Sequence, residues 1–294
     1  MTTIRKRKDY QLAVVEVFSG PSFLWAEVVC WSLRLLNKPY VLTLHGGNLP
    51  AFSQRWPKRM RFLLQKAAKI TTPSRYLKDN LSLYSHQIQY LPNALDLLNY
   101  SFRVCSRPAP RISWLRALRY IYNPVLALRT LGLLAVEFPS IHLDMIGPDQ
   151  KDGSLELVLK TADKFGVQDN VRLVGGVPKR EVPSRLAQSD IFLNTTNYES
   201  FGVTVMEAAA CGLCIVTTNV GELPYLWKDG HDALLVPPDD PEAMAAAVRR
   251  ILTEPGLAER LSRNARQKAE QFDWSLILPQ WEALLTAVAE GHYR

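Results

Sequence analysis

Short apolar runs of three to five residues alternate along this chain with stretches in which apolar residues recur every three or four positions. The first pattern marks strands buried on both faces, and the second marks helices with an apolar stripe. Their regular alternation predicts parallel α/β layers. In the first half, Ala13–Val17, Val41–Leu44, Ile70–Thr72 and Ile88–Leu91 read as strands. Helices are expected at Pro21–Leu36, with Leu24, Val28, Trp31 and Leu35 on one face, and at Ser74–Leu83. Within residues 51–70, Trp56, Met60, Leu63, Leu64 and Ala67 recur at helical spacing among Arg55, Lys58, Arg59, Arg61 and Lys66, which predicts a basic amphipathic helix. Residues 94–110, with Pro108 and Pro110, read as a linker.

The second half continues the alternation. Strands are expected at Ile112–Trp114, Leu143–Ile146, Val171–Val174, Ile191–Leu193, Ile215–Thr217 and Leu234–Val236. Helices are expected at Pro124–Glu137, Ser154–Phe165, Lys179–Ala187 and Pro241–Thr253, and two more close the chain, the last with Trp281, Leu284, Leu285 and Val288 on its apolar face. One stretch stands apart: Tyr198-Glu199-Ser200-Phe201-Gly202-Val203-Thr204-Val205-Met206-Glu207, followed by Ala208-Ala209-Ala210-Cys211-Gly212. A strand leads into it, a helix starts near Val203, and Gly212 is placed to end that helix. Glu199 therefore falls in the loop before a helix N-terminus and Glu207 about one turn inside. The N–H groups between them suit phosphate, and carboxylates accept hydrogen bonds from sugar hydroxyls. A nucleotide sugar has that layout.

The chain's 294 residues suggest two domains. Net charge is +7, unevenly placed: residues 1–104 hold 15 Lys/Arg against 5 Asp/Glu, and residues 105–294 hold 20 against 23. A basic first half points to an acidic partner, and the helix in residues 51–70 makes an anionic membrane surface one candidate. The bland alternative is an apolar stripe in the core with a solvated basic face. No nucleic-acid motif accompanies the charge, so nucleic acid is not an expected partner. The basic start at residues 1–8 precedes a short apolar run interrupted by Glu16, which does not read as a signal peptide. Cys211-Gly212-Leu213-Cys214 sits where a helix ends, not where one begins, so it reads as core packing and not as a redox pair. With Cys30 and Cys105 it demands no disulfide, which fits a reducing cytoplasm.

The Glu199–Glu207 segment resembles the Glu-x₇-Glu motif of retaining glycosyltransferases with the GT-B fold, close to family 4. The resemblance runs in order from Val171-Arg172-Leu173-Val174-Gly175-Gly176-Val177 through Leu186-Ala187-Gln188-Ser189-Asp190-Ile191-Phe192-Leu193 to Gly221-Glu222-Leu223-Pro224 and Asp229-Gly230-His231-Asp232-Ala233-Leu234-Leu235-Val236-Pro237-Pro238-Asp239-Asp240. It implies an α/β protein of two Rossmann-like domains facing across a cleft, the first incomplete. Residues 1–104 would be the acceptor-side domain, 105–275 the donor domain, and 276–294 a helix crossing back to the first. The implied reaction moves a sugar from a nucleoside-diphosphate sugar to a glycan, lipid-linked or other hydroxyl acceptor, with no cofactor or metal required, in the cytoplasm or at the inner face of a membrane.

The resemblance also implies residue roles. Glu199 would contact the donor sugar and Glu207 the ribose, with Ser200, Phe201, Gly202 and Val203 forming the diphosphate-binding turn. His45, ending a strand in Leu42-Thr43-Leu44-His45-Gly46-Gly47, would face the donor. Arg116 is the leading candidate for a phosphate clamp and Arg119 the second, in a segment whose pattern departs from the family's usual Gly-Arg…Glu-Lys. Gly147 would let backbone approach the ligand, Val174 and Gly175 would lie at the nucleobase, and Asn93 would face the cleft. The shortened start and the altered arginine segment keep open a non-catalytic remnant that binds a nucleotide or partner. A nucleotide-sugar epimerase of the same fold is a third reading. An esterase reading of His45-Gly46-Gly47 fails because no Gly-x-Ser-x-Gly is present.

Overall fold

The computed structural model describes residues 5–292. Residues 1–4 of the basic start and 293–294 of the 276–294 segment lie outside the described residues. The chain forms two packed units. One holds residues up to Ala94, Glu199–Phe201 and the chain from Trp274 onward; the other holds Leu95–Tyr198 and Gly202–Asp273.

In the first unit the elements run β1 (Ala13–Val17), α1 (Pro21–Leu35), β2 (Tyr40–Leu44), α2 (Leu49–Arg55), α3 (Pro57–Leu64), β3 (Lys69–Thr72), α4 (Arg75–Leu81) and β4 (Ile88–Tyr90). Among the described residues these strands make a four-stranded parallel sheet in the order β1-β2-β3-β4. β2 is buried at every position, as a central parallel strand must be. On one face Val17, Leu42, Leu44 and Ile70 pack with Phe23, Leu33, Met60, Leu63 and Leu77 from the helices. On the other, Val41 and Leu91 pack with Ile277, Leu284 and Val288 of a last helix, Trp274–Ala289.

Two helices of this unit differ from the sequence expectation. Residues 51–70 are not one helix. Pro57 follows Trp56, and a residue before proline is driven out of the helical region; Trp56 has φ −130° and ψ 57°, so α2 ends and α3 begins there. Of the expected stripe, Met60, Leu63 and Leu64 are buried in the core, Ala67 is half-buried and Trp56 is 43% exposed; Arg55, Lys58, Arg61 and Lys66 are exposed. In α1 the stripe Leu24, Val28, Trp31 and Leu35 is exposed. The face that packs on the sheet is Phe23, Ala26, Cys30 and Leu33. This helix is apolar on both sides, so periodicity alone selected the wrong one.

In the second unit the order is β5 (Arg111–Leu115), α5 (Pro124–Ala135), β6 (His142–Ile146), α6 (Ser154–Phe165), β7 (Val171–Gly175), α7 (Val182–Leu186), β8 (Ile191–Asn194), α8 (Val203–Cys211), β9 (Cys214–Thr218), α9 (Leu223–Leu226), β10 (Leu234–Val236), α10 (Pro241–Thr253) and α11 (Leu257–Glu270). The final helix of the chain, Trp274–Ala289, is then α12. The second unit's sheet has six parallel strands among the described residues, ordered β10-β9-β8-β5-β6-β7. The irregular 94–110 stretch is held to this unit through Asp190, whose buried carboxylate accepts from Arg103 (2.7 Å), Arg111 (2.8 Å) and the Ala109 N–H (3.2 Å). All four cysteines are buried and free.

Packing by α12 gives a testable consequence. Leu284→Ala deletes a buried side chain and should lower stability by about 2–4 kcal/mol in urea unfolding, whereas Leu278→Ala, at an exposed position, should leave it unchanged. Equal effects of the two would show that α12 does not stabilise the sheet face formed by Val41 and Leu91.

Candidate functional site

In the second sheet β5 lies between β8 and β6, so the chain's order reverses there. Connections from strands on the two sides of such a point diverge, leaving a crevice at the carboxyl ends of the strands. A cavity of about 290 Å³ occupies this place. Its lining comes from the segments just after three strands, Arg116 and Ala117 after β5, Gly147 and Pro148 after β6, and Val177 and Lys179 after β7, and from Thr204 and Glu207 of α8. Local conformation explains the approach of these segments. A Cβ on Gly147 would fall 1.8 Å from the Arg116 carbonyl oxygen, so only glycine allows the two turns to meet. The sequence expectation gave Gly147 a close approach to ligand; the backbone it meets is that of Arg116. Gly202, at φ 90°, turns the chain into α8 in a conformation that glycine adopts without strain.

Glu207 is 1% exposed on a helix whose neighbours Val205, Met206, Ala208 and Ala209 are apolar and buried. A carboxylate in that setting must be paired. Its Oε1 accepts from Tyr100 Oη at 2.5 Å and forms an ion pair with Lys179 Nζ. Burial first, and the adjacent carboxylate second, push the Tyr100 phenol well above its usual range, so it remains a donor. Neither Tyr100 nor Lys179 was a sequence candidate. Tyr100 lies 107 residues from its partner and inside a stretch that reads only as linker. Lys179 had a weak signal, as a cation soon after a strand end. Thr204 Oγ1, at the first turn of α8, is shielded from solvent without a hydrogen-bond partner. Such orphaned groups are uncommon in folded proteins.

The remaining candidates take varied positions. Arg116 is half-buried, with its guanidinium over the Tyr122 ring at 4.9 Å. Arg119 is exposed and is not among the cavity-lining residues. Val174 and Gly175 end β7 beside the cavity rather than lining it, and Gly175 accepts a 2.8 Å hydrogen bond from the Gly147 N–H. Val203 and Ser200 are half-buried and Phe201 is buried. Glu199 is 7% exposed, and its Oε1 accepts from the N–H groups of Ser200 (3.1 Å) and Phe201 (3.3 Å). The Phe201 N–H, expected at the diphosphate, is thus taken by Glu199 here.

In the first unit His45 follows β2 and stacks on Phe18, ring centroids 5.3 Å apart. Burial lowers its pKa against a weaker opposing pull from Glu16. Within that unit a Cβ on Gly47 would fall 2.6 Å from the Glu199 nitrogen, so the second glycine of His45-Gly46-Gly47 is there for close packing. Asn93 is half-buried just beyond β4. Among the described residues there is no group of three His, Cys, Asp or Glu side chains arranged to hold a metal ion.

The family model for glycosyl transferases group 1 matches residues 110–268, and that for glycosyltransferase family 4 matches residues 3–97. Glycogen synthase of Mycobacterium tuberculosis is 27% identical over 274 residues, covering 88% of this chain and 65% of that protein. D-inositol 3-phosphate glycosyltransferase of Streptomyces bingchenggensis is 34% identical over 119 residues, covering 40% of this chain and 26% of that one. The chain thus spans between about a quarter and two thirds of these curated relatives. Among solved structures, HepE of Anabaena in complex with UDP and glucose superposes with a TM-score of 0.83 at 16% identity, over 97% of this chain and 80% of that one. Sucrose-phosphate synthase of Thermosynechococcus elongatus gives 0.82 at 21% identity, over 99% and 77%.

Two measurements follow from the site. Tyr100→Phe leaves the buried Glu207 short of one donor and should cost about 1–3 kcal/mol of stability; Tyr198→Phe, at an exposed ring, should cost nothing measurable. A Tyr100→Phe protein as stable as wild type would mean the carboxylate does not need this bond. His45 gives a pH dependence. Its folded pKa lies below the ordinary 6.5, so the unfolded chain takes up the proton first on acidification. The contribution is intact above pH 6.5 and is lost as pH falls through the lowered folded value. The melting temperature of wild type should therefore drop more steeply below pH 6.5 than that of His45→Gln; parallel curves would contradict the burial argument.

Proposed function

We propose, from the premise that the chain belongs to the glycosyl transferases group 1 family and has the two Rossmann-like domains of the GT-B fold, that it transfers a sugar from a nucleoside-diphosphate donor to a hydroxyl acceptor with retention at the anomeric carbon. The observation that carries this reading is the cavity at the β5/β8 reversal. It joins a buried carboxylate, Glu207, to the cation Arg116 and the first turn of α8. A helix N-terminus and an arginine fork suit a diphosphate, and a fixed carboxylate one turn farther along suits the ribose hydroxyls.

In this reading Glu207 holds the ribose, Arg116 with the N–H groups of Gly202 and Val203 holds the diphosphate, and Glu199 orients the sugar. Ser200 and Phe201 shape that turn, Val174 and Gly175 border the base, and Gly147 keeps the two turns in register. His45 and Asn93 belong to the acceptor-side unit, and Arg119 supplies a more distant positive charge. The protein acts by positioning and by stabilising charge on the departing diphosphate. The acceptor hydroxyl attacks the face from which that group leaves, and a phosphate oxygen takes its proton. No bound metal is needed for this chemistry. The acceptor is a glycan, lipid-linked or other hydroxyl compound, reached in the cytoplasm or at the inner face of a membrane; the exposed cations of residues 51–70 support an anionic membrane surface as one partner. HepE complexes hold UDP and UDP-glucose, which makes uridine diphosphate sugars the first donors to test.

Thermal unfolding in the presence of UDP-, GDP- and ADP-sugars tests the reading. One donor at about 100 times its Kd should stabilise wild type by about 2.7 kcal/mol, and both Glu199→Ala and Glu207→Gln should lose most of that gain. No donor shifting wild type, or the same shift in all three proteins, would count against the roles assigned.

A further inference from the structure

Both donors to Glu207 reach the same oxygen. Tyr100 Oη donates to Oε1 at 2.5 Å, and Lys179 Nζ makes its ion pair with Oε1 as well. A carboxylate oxygen offers about two acceptor sites, so Oε1 is filled. Among the described residues no group donates to Oε2. Glu207 lines the cavity, so a ligand hydroxyl that bonds to it there is left with Oε2.

The two donors differ in stiffness. Tyr100 is 6% exposed and is not among the residues that line the cavity. Its segment is fastened to α8, the helix that carries Glu207. The Arg103 N–H donates to the Cys211 carbonyl at 3.2 Å. The Arg266 guanidinium, from α11, donates to the carbonyls of both Tyr100 (3.3 Å) and Ala210 (2.8 Å). A Cβ on Gly212 would fall 2.2 Å from the Arg103 carbonyl oxygen, so glycine lets the segment close on the end of α8. Phenol and carboxylate are thus mounted on one rigid frame. Lys179 contrasts with this. Its side chain is 68% exposed, on a long flexible stem. It supplies charge and little direction.

The terminal torsion of a glutamate is broad, so a carboxylate held only by a lysine can swing with it. Held by a fixed phenol, it cannot. An acceptor fixed before the ligand arrives loses less on binding.

We infer that Tyr100 is a positioning residue for nucleotide recognition: its hydroxyl engages Oε1 of Glu207 and so presents Oε2 to the vicinal hydroxyls of the ribose. Preference for a nucleotide that carries this diol then depends on a residue that does not touch the ligand. Lys179 adds attraction for the anionic nucleotide and does not sense the diol. The inference rests on the ribose contact proposed for Glu207, and adds which oxygen makes it and what holds that oxygen in place.

Titration calorimetry with UDP, GDP and ADP, and with the 2′,3′-dideoxy form of whichever binds, tests it. Wild type should bind the ribose form roughly tenfold or more tightly than the dideoxy form, as expected for hydrogen bonds to a charged acceptor. In Tyr100→Phe that ratio should fall to about threefold or less, because the hydroxyls then meet an acceptor that is not held. In Lys179→Met both forms should weaken by a similar factor and the ratio should stay. A merely structural role for Tyr100 would weaken both forms alike. The phenylalanine ring fills the same space, and a melting curve is recorded for each variant. Wild type that prefers the diol, with Tyr100→Phe preferring it equally, would overturn this inference and leave the ribose contact standing. Wild type that binds neither UDP, GDP nor ADP, or binds ribose and dideoxy forms equally, would remove the ribose contact and this inference with it. Lys179 is exposed, so its variant should fold whatever happens to Tyr100→Phe. A ratio that collapses in Lys179→Met would show that the lysine sets the direction, and would overturn the inference as well.

Discussion

A carboxylate buried in an apolar helix is the constraint around which the second unit's site is built. Glu207 cannot be left without partners at 1% exposure, because desolvation of an unpaired charge exceeds what most single contacts return. The helix offers it none, since the neighbouring buried side chains are apolar. Partners must therefore be imported from elsewhere. Tyr100 comes from the irregular stretch before β5 and Lys179 from the turn after β7. One buried charge thus ties down two segments remote in sequence, the first of which Asp190 also anchors. A residue serving only stability would have been easier to supply as another alanine. The proposed ribose contact gives that expensive choice a use, since it needs an acceptor held at a fixed place.

The sheet supplies the rest of the positioning. Parallel strands aim their carboxyl ends in one direction, and the reversal at β5 parts the connections that follow. Gly147 then narrows the gap. Its missing side chain lets the turn after β6 press on the carbonyl of Arg116, and Arg116 is braced from another side by the Tyr122 ring. The result is a cation on rigid supports, which is what recognition of a phosphate requires.

The sequence was legible where local and global preferences agree. Central parallel strands such as β2, β8 and β9 are buried along their whole length and read as short apolar, β-branched runs, the partly exposed edge strands β1 and β7 kept enough of that pattern to be found as well, and Gly212 marked the end of α8. The two acidic positions followed from their spacing about the turn into α8. Legibility failed where the deciding contact is remote. Nothing near Tyr100 signals that its hydroxyl meets a carboxylate 107 positions away. Arg116 and Arg119 look alike in sequence, yet one is half-buried at the cavity and the other lies exposed. The break at Trp56 was readable in principle, since Pro57 follows it, but a continuous apolar period masked the proline.

Helix α1 shows a deeper limit. Hydrophobic periodicity reports that a stripe is apolar, not what it faces. Leu24, Val28, Trp31 and Leu35 follow helical spacing as faithfully as Phe23, Ala26, Cys30 and Leu33, and the larger side chains are in the set that remains outside. The sheet selects the smaller set because Ala26 and Cys30 let the helix approach closely, whereas a tryptophan at either place would hold it off. Small residues thus decide which side of the helix enters the core, and the bulkier side is left to whatever the surface meets.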